Sequence, residues 1–103
     1  MIARRWHGRI PAAKAGDYLR LMREVALPDY RGVQGNLGAW CLHRRNGEIV
    51  HVEMFTLWAD EQAIRAFAGD DIARAKYYDF DEDFLLEKEP HVLHFEVEEG
   101  AGG

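Results

Sequence analysis

The sequence predicts an α+β domain of ferredoxin-like topology, βαββαβ, with one four-stranded antiparallel sheet. Three observations carry the prediction. An amphipathic helical stretch lies between Ala12 and Pro28, an Asn46-Gly47 turn separates two strand-like runs, and a second short helical stripe precedes a closing strand. At 103 residues the chain has room for one domain, and 48% hydrophobic with 12% aromatic residues argues against disorder.

Each element follows from local pattern. Ile2 to Ile10 is a mixed apolar and polar run ended by Pro11, which reads as the first strand. Ala15, Tyr18, Leu19, Met22, Val25 and Ala26 recur at spacings of three and four, one stripe of a helix that Pro28 is expected to end. Gly32, Gly35 and Gly38 punctuate a loop into a strand over Leu37 to Arg45, and a partner strand runs from Glu48 to Trp58. A two-residue Asn46-Gly47 loop would pair Leu42 with His51, Trp40 with Glu53, Cys41 with Val52 and Ala39 with Met54. Asp60 is placed to cap a second helix with the stripe Ala63, Ile64, Phe67 and Ala68, which Gly69 closes. A further helical stretch is expected from Asp71 to Tyr77 and an acidic turn from Asp79 to Asp83. A last strand follows from His91 to Val97, with Leu93, Phe95 and Val97 on one side. Residues 1–98 thus form a single domain, and 99–103 a glycine-rich tail expected to be mobile.

Charge and composition exclude several partners. There are 13 Lys+Arg against 18 Asp+Glu, a net charge of −5, and no basic block longer than pairs such as Arg4-Arg5, so a nucleic-acid partner is not expected. No apolar run approaches the ~20 residues of a membrane span, and the N-terminus lacks the apolar centre of a signal peptide. No membrane partner and a cytoplasmic location are therefore expected. The single Cys41 permits neither an internal disulfide nor a cysteine zinc site.

The hairpin alternation shows two apolar faces. Ala39, Cys41, Val50, Val52, Met54 and Trp58 share one, and Trp40, Leu42, Ile49, Phe55 and Leu57 share the other with His51 and Glu53. Two helices cover only one side of a four-stranded sheet. The other predicts a self-complementary interface, a homodimer with its sheets face to face as a dimeric α+β barrel.

The segments Ile2-Ala-Arg-Arg-Trp-His-Gly-Arg9, Phe55-Thr-Leu-Trp58, Asp60-Glu-Gln-Ala-Ile-Arg-Ala-Phe67 and His94-Phe-Glu-Val97 together resemble the antibiotic biosynthesis monooxygenase-like family. The resemblance spans Ile2 to Val97. It implies a pocket between sheet and helices, and an enzyme oxidising an aromatic compound with O₂ without bound metal or flavin. A sister branch binds and degrades haem through an asparagine on strand one, a tryptophan in helix two and a histidine after it. This sequence has His7, Phe67 and Tyr77 at those places, which makes haem binding a minor alternative.

Cofactor-free oxidation needs a base titrating near neutrality, a donor for the substrate anion and an aromatic-lined dry cavity. His7 is the candidate base, since histidine titrates nearest neutrality and the resemblance places it facing the pocket. Tyr77 and Tyr78 are candidate donors, with core closure and surface exposure as the alternative. Met54, Trp58, Phe67 and Phe84 are candidate walls, with core filling the favoured reading. His51 and Glu53, two apart on one strand face, read either as an acid–base pair or as hydrogen-bonding groups across a dimer interface, and the interface reading is favoured. His43, His91 and His94 lack metal-ligand spacing, the Gly32 to Gly38 loop lacks a phosphate-binding context, and Asp79 to Asp83 lacks the spacing of a calcium loop; no metal or other cofactor is expected. The functional expectation is a cofactor-independent monooxygenase of a small aromatic or quinol-type compound. The alternative is a non-catalytic dimeric module that binds a small ligand or serves in stress.

Overall fold

Strand β1 (Ile2–Pro11) forms the spine of the molecule, paired along its length with β3 (Ile49–Trp58) and over Ile2–Arg5 with β4 (Leu93–Glu96). With β2 (Asn36–Asn46) on the far side of β3, the strands make one antiparallel sheet in the order β2-β3-β1-β4, the ferredoxin-like arrangement that the element order predicts. The computed structural model describes residues 1–98 and 100; apart from Gly100, the tail expected over 99–103 lies outside the described residues.

The sheet is covered on one face. Arg4, Trp6, Gly8 and Ile10 of β1 and Val50, Val52, Met54, Thr56 and Trp58 of β3 are all buried on that side. Above them lies a helical layer that starts with a 3-10 turn at Ala12–Lys14 and continues as α1 (Ala15–Leu21), a π-helical turn (Met22–Ala26) and α2 (Leu27–Arg31). Pro28 therefore does not end the first helix as expected. Leu27 N–H bonds back to Met22 O, so the ladder is already displaced by one residue where the proline's missing N–H falls, and the ring is accommodated as at a helix start. The wider winding also keeps Tyr18, Met22, Ala26 and Tyr30 on the buried side, while Val25, expected in the stripe, is exposed.

Helix α3 (Glu61–Ala68) matches its expected span. The Asp60 carboxylate accepts from Ala63 N–H at 2.9 Å, and Gly69, with φ of +95°, ends it in a conformation that disfavours a side chain. It buries Ala63, Ile64 and Phe67 against Trp58 and Tyr30.

The hairpin register differs from expectation by two residues. Asn46 pairs with Ile49, so the two-residue loop is Gly47-Glu48, with Gly47 at φ of +63°, and Trp40 faces Phe55, Leu42 faces Glu53, and Arg44 faces His51. A shift of two preserves the assignment of side chains to faces, because the pleat repeats every two residues. A bulge at Leu37 lies between Asn36 and Gly38.

No helix forms over Asp71–Tyr77. Ala75 N–H donates to Pro90 O at 2.9 Å, Val92 N–H donates to Ala73 O at 2.8 Å, and Arg74 bridges His91, so pairing between distant segments takes the backbone groups a helix would use. Between them lies the 3-10 turn Asp79–Asp83. The last strand is accordingly shorter than expected, with His91 left to the isolated bridge. Beyond β4 the free edge of β1 is taken up by the chain at Leu86, whose N–H donates to Arg9 O at 2.9 Å. That placement brings Glu87 and Glu89 to the uncovered face.

On this uncovered face Trp40, Leu42, Leu93 and Phe95 are each about half exposed, and Phe55 and Leu57 lie between them. Among the described residues no helix is long and apolar enough to cross a membrane.

The core and the cap differ in weight. Ile64→Ala, which empties a fully buried site, is expected to cost about 2–5 kcal/mol in denaturant unfolding, and Asp60→Ala, which removes only the helix cap, about 1 kcal/mol. Equal losses would contradict this account of how α3 is held.

Candidate functional site

Alternation along β1 sends Trp6 and Gly8 beneath the helices and His7 to the open face, so His7 does not face the layer between sheet and helices where the resemblance placed it. There it lies in a surface pocket of about 470 Å³. His7 Nδ1 is 2.5 Å from Glu89 Oε2, and His7 Nε2 is 3.0 Å from His51 Nδ1 on the neighbouring strand. The two imidazoles lie close and nearly parallel, 5.3 Å between centroids.

The hydrogen-bond chemistry of this chain is directional. With both rings neutral and the Glu89 carboxylate accepting from His7 Nδ1–H, His7 Nε2 offers its lone pair to the Nδ1–H of His51. In that tautomer His51 Nε2 is left bare. Both nitrogens of His7 are engaged, which makes His51 the member with a free basic nitrogen and His7 the residue that orients it. Glu53, read from the sequence as either an acid–base partner of His51 or, the favoured reading, an interface group, is bound by Arg5 through Nε at 3.0 Å and Nη2 at 2.6 Å. Arg9 is likewise held by Glu87 at 2.7 Å. His43, Arg44 and His91, which also line the pocket, form no ion pair among the described residues, and Leu42, Val92 and Leu93 supply its apolar wall.

Over β1 and β3 the layer between sheet and helices is nearly filled: the cavity there measures about 10 Å³, space for about one water. A separate cleft of about 320 Å³ opens at the β2 edge, lined by Arg23, Arg31, Ala39 and Cys41 among others. Trp6, Met54 and Tyr30 line the smaller cavity, while Trp58 and Phe67 pack as core against Tyr30. Tyr77 donates its hydroxyl to Glu89 O and sets its ring edge-on to Trp6. Tyr78 donates to Asp29 Oδ2 at 2.6 Å and stacks on Phe80. Phe84 lies against the Tyr18 ring at 5.2 Å. Burial first, then the neighbouring acidic groups, pushes the Tyr77 hydroxyl up to about 12, so at neutral pH it stays protonated as a donor. A porphyrin does not fit this layer as it stands, and the Tyr77 oxygen is already committed to a backbone carbonyl.

Two groups on the helix side, the buried Arg4 and the half-buried His94, carry no functional expectation from the sequence. Arg4 lies between Trp6 and the sheet end, 1% exposed, with Nε and Nη1 lacking any acceptor. His94, its cross-strand neighbour on β4, has a buried Nε2 without a partner. Burial, reinforced by the Arg4 charge, holds the His94 imidazole below its ordinary range. The signal for Arg4 was its parity with Trp6, Gly8 and Ile10, which marks a charge on an apolar face. Glu89 carries no such signal, being 82 residues from His7 in the chain.

The His94 shift has a definite sign. The folded chain binds fewer protons than the unfolded chain between the depressed value and the ordinary histidine value of about 6.5, so stability falls as pH drops through that window. The stability of the native protein relative to His94→Gln is expected to decline on acidification through it; a pH-independent difference would contradict the assignment.

No family model matches the chain, and no curated protein does. Among solved structures it is similar to a variant of MhuD crystallised with two manganese protoporphyrin IX molecules per active site, at 21% identity and a TM-score of 0.63, over 100% of both chains. At that identity the likeness concerns the fold, and it agrees with the ferredoxin-like α+β topology traced here from β1 to β4.

Proposed function

We propose that the chain is a homodimeric, cofactor-independent oxygenase of a small electron-rich phenol or quinol-type compound, working on the open face of the sheet. The observation that carries this reading is the Glu89–His7–His51 chain, whose free nitrogen belongs to His51 in the 470 Å³ pocket. His51 Nε2 takes the proton of an acidic substrate C–H or O–H. The resulting imidazolium is stabilised through His7 by the Glu89 carboxylate. Arg44, which forms no ion pair among the described residues, supplies positive charge near the substrate oxyanion. The electron-rich anion then reduces O₂. For a methylene substrate such as anthrone, CH₂ plus O₂ gives C=O plus H₂O, so one oxygen atom enters the product and the other leaves as water.

A second copy completes the site. Trp40, Phe55, Leu57 and Phe95 give the end of the open face near Ile2 an apolar surface, and the ionisable groups gather toward Arg9. An isologous partner seated on the apolar end would shield the pocket beside it from water, raising the strength of its hydrogen bonds.

O₂ uptake with anthrone is expected above the protein-free rate, and His51→Ala is expected to lower it by about 10²-fold or more. His7→Ala should also lower it, and Glu89→Gln less. Uptake unchanged by all three variants contradicts the relay. A panel of phenols and quinols that raises the melting temperature without any uptake would instead support a binding module. Ferric haem added to the protein is expected to show no saturable Soret change, and a saturable one would support the haem-binding alternative.

A further inference from the structure

β2 is an outer strand of the sheet, and one of its edges has no neighbour. Which backbone groups lie on that edge follows from one contact. Arg31 Nη2 donates to Ala39 O at 3.2 Å, so Ala39 turns its carbonyl away from β3. Direction alternates along an antiparallel ladder, so Cys41 and His43 present their N–H and C=O groups to the same free edge, while Trp40 and Leu42 bond to Phe55 and Glu53 of β3. Leu86 N–H on Arg9 O fixes the same parity from the other side of the sheet: Arg9 faces away from β3, which leaves its opposite, His51, to bond Arg44. Open edges template the pairing of further strands and are usually blunted by proline, lysine or a bulge. Gly38 to His43 contains none of these.

The cleft of about 320 Å³ runs along this edge. Its far wall is the stripe Leu19, Arg23, Leu27 and Arg31, which recurs every four residues through α1, the π turn and α2. Arg23 and Arg31 are exposed and form no ion pair among the described residues, although acidic groups outnumber basic ones by 18 to 13 in the chain. Charge therefore selects the occupant. A second copy pairing β2 to β2 would set the same arginines of both chains along one seam, whereas an acidic strand would neutralise them. We propose that the β2 edge takes up an extended acidic peptide as a fifth antiparallel strand, with acidic side chains at every second position. Residues opposite Ala39, Cys41 and His43 share their face, so those side chains meet Arg23 and Arg31, and the residues between them lie on the side of Trp40 and Leu42. The site is at the margin of the sheet and does not rest on the oxygenase reading.

The test uses three fluorescein-labelled peptides: TEVEVET, the basic TKVKVKT, and TEVEVET methylated on the backbone nitrogens of its glutamates, whose N–H groups would face β2. Anisotropy and residue-resolved amide hydrogen exchange of the full chain are the readouts. TEVEVET is expected to bind saturably, less tightly as salt is added, and to slow exchange at Cys41 and His43, which is fast in the free protein. Trp40 and Leu42, bonded to β3, should exchange slowly with or without peptide. The basic and methylated peptides are expected not to bind. Arg23→Gln and Arg31→Gln, both at exposed side chains, should each weaken binding about two- to fivefold, the range of solvated ion pairs. Binding should persist in His51→Ala, and its loss there would place the peptide on the open face and overturn the proposal. So would no saturable binding, equal binding by either control peptide, an unchanged affinity in the double arginine variant, or binding without slower exchange at Cys41 and His43. Slow exchange of those two amides in the free protein would show the edge already covered by another copy, and overturns it as well.

Discussion

Strand β1 is hydrogen-bonded on both edges near its start and to β3 throughout, so none of its side chains can change face without breaking a ladder. That constraint divides the chemistry of the molecule. Arg4, Trp6, Gly8 and Ile10 go under the helices, and Arg5, His7 and Arg9 go to the open face. The burial of Trp6 on one side and the exposure of the His7 ring to His51 and Glu89 on the other are consequences of one alternation.

The open face depends on a second arrangement at the edge of the same strand. Because β4 pairs only with Ile2–Arg5, the rest of the β1 edge is free to receive residues around Leu86. The carboxylates of Glu87 and Glu89 arrive beside Arg9 and His7 by that route. A longer β4 would occupy the edge and displace them. The short final strand is therefore part of how the relay is assembled.

Topology and the division of faces were legible in the sequence, because two-residue and near-four-residue periods are local signals and Asn46-Gly47, Asp60 and Gly69 mark boundaries. What failed were features settled by distant contacts. The hairpin loop moved to Gly47-Glu48, the 71–77 stretch gave its backbone to residues 90–92 in place of a helix, and a π turn carried the first helix past Pro28. For the site, His51 was visible but was read mainly as an interface group, and its link through His7 to Glu89 was not legible because Glu89 lies far along the chain, while Arg5 takes Glu53. His7 was placed by resemblance on the face that its own parity with Trp6 excludes. Met54, Trp58 and Phe67, weighed as pocket walls or core, lie in the core, the reading favoured for them from the sequence.

The relay turns on which histidine keeps a free nitrogen. Imidazole ¹⁵N spectroscopy of the native protein under conditions where both rings are neutral reads this directly. The predicted pattern is a protonated Nδ1 and bare Nε2 on both His7 and His51, with the His7 pattern lost in Glu89→Leu, which removes the acceptor. A bare Nδ1 on His51, or spectra indifferent to Glu89→Leu, would contradict the relay and with it the assignment of His51 as the base.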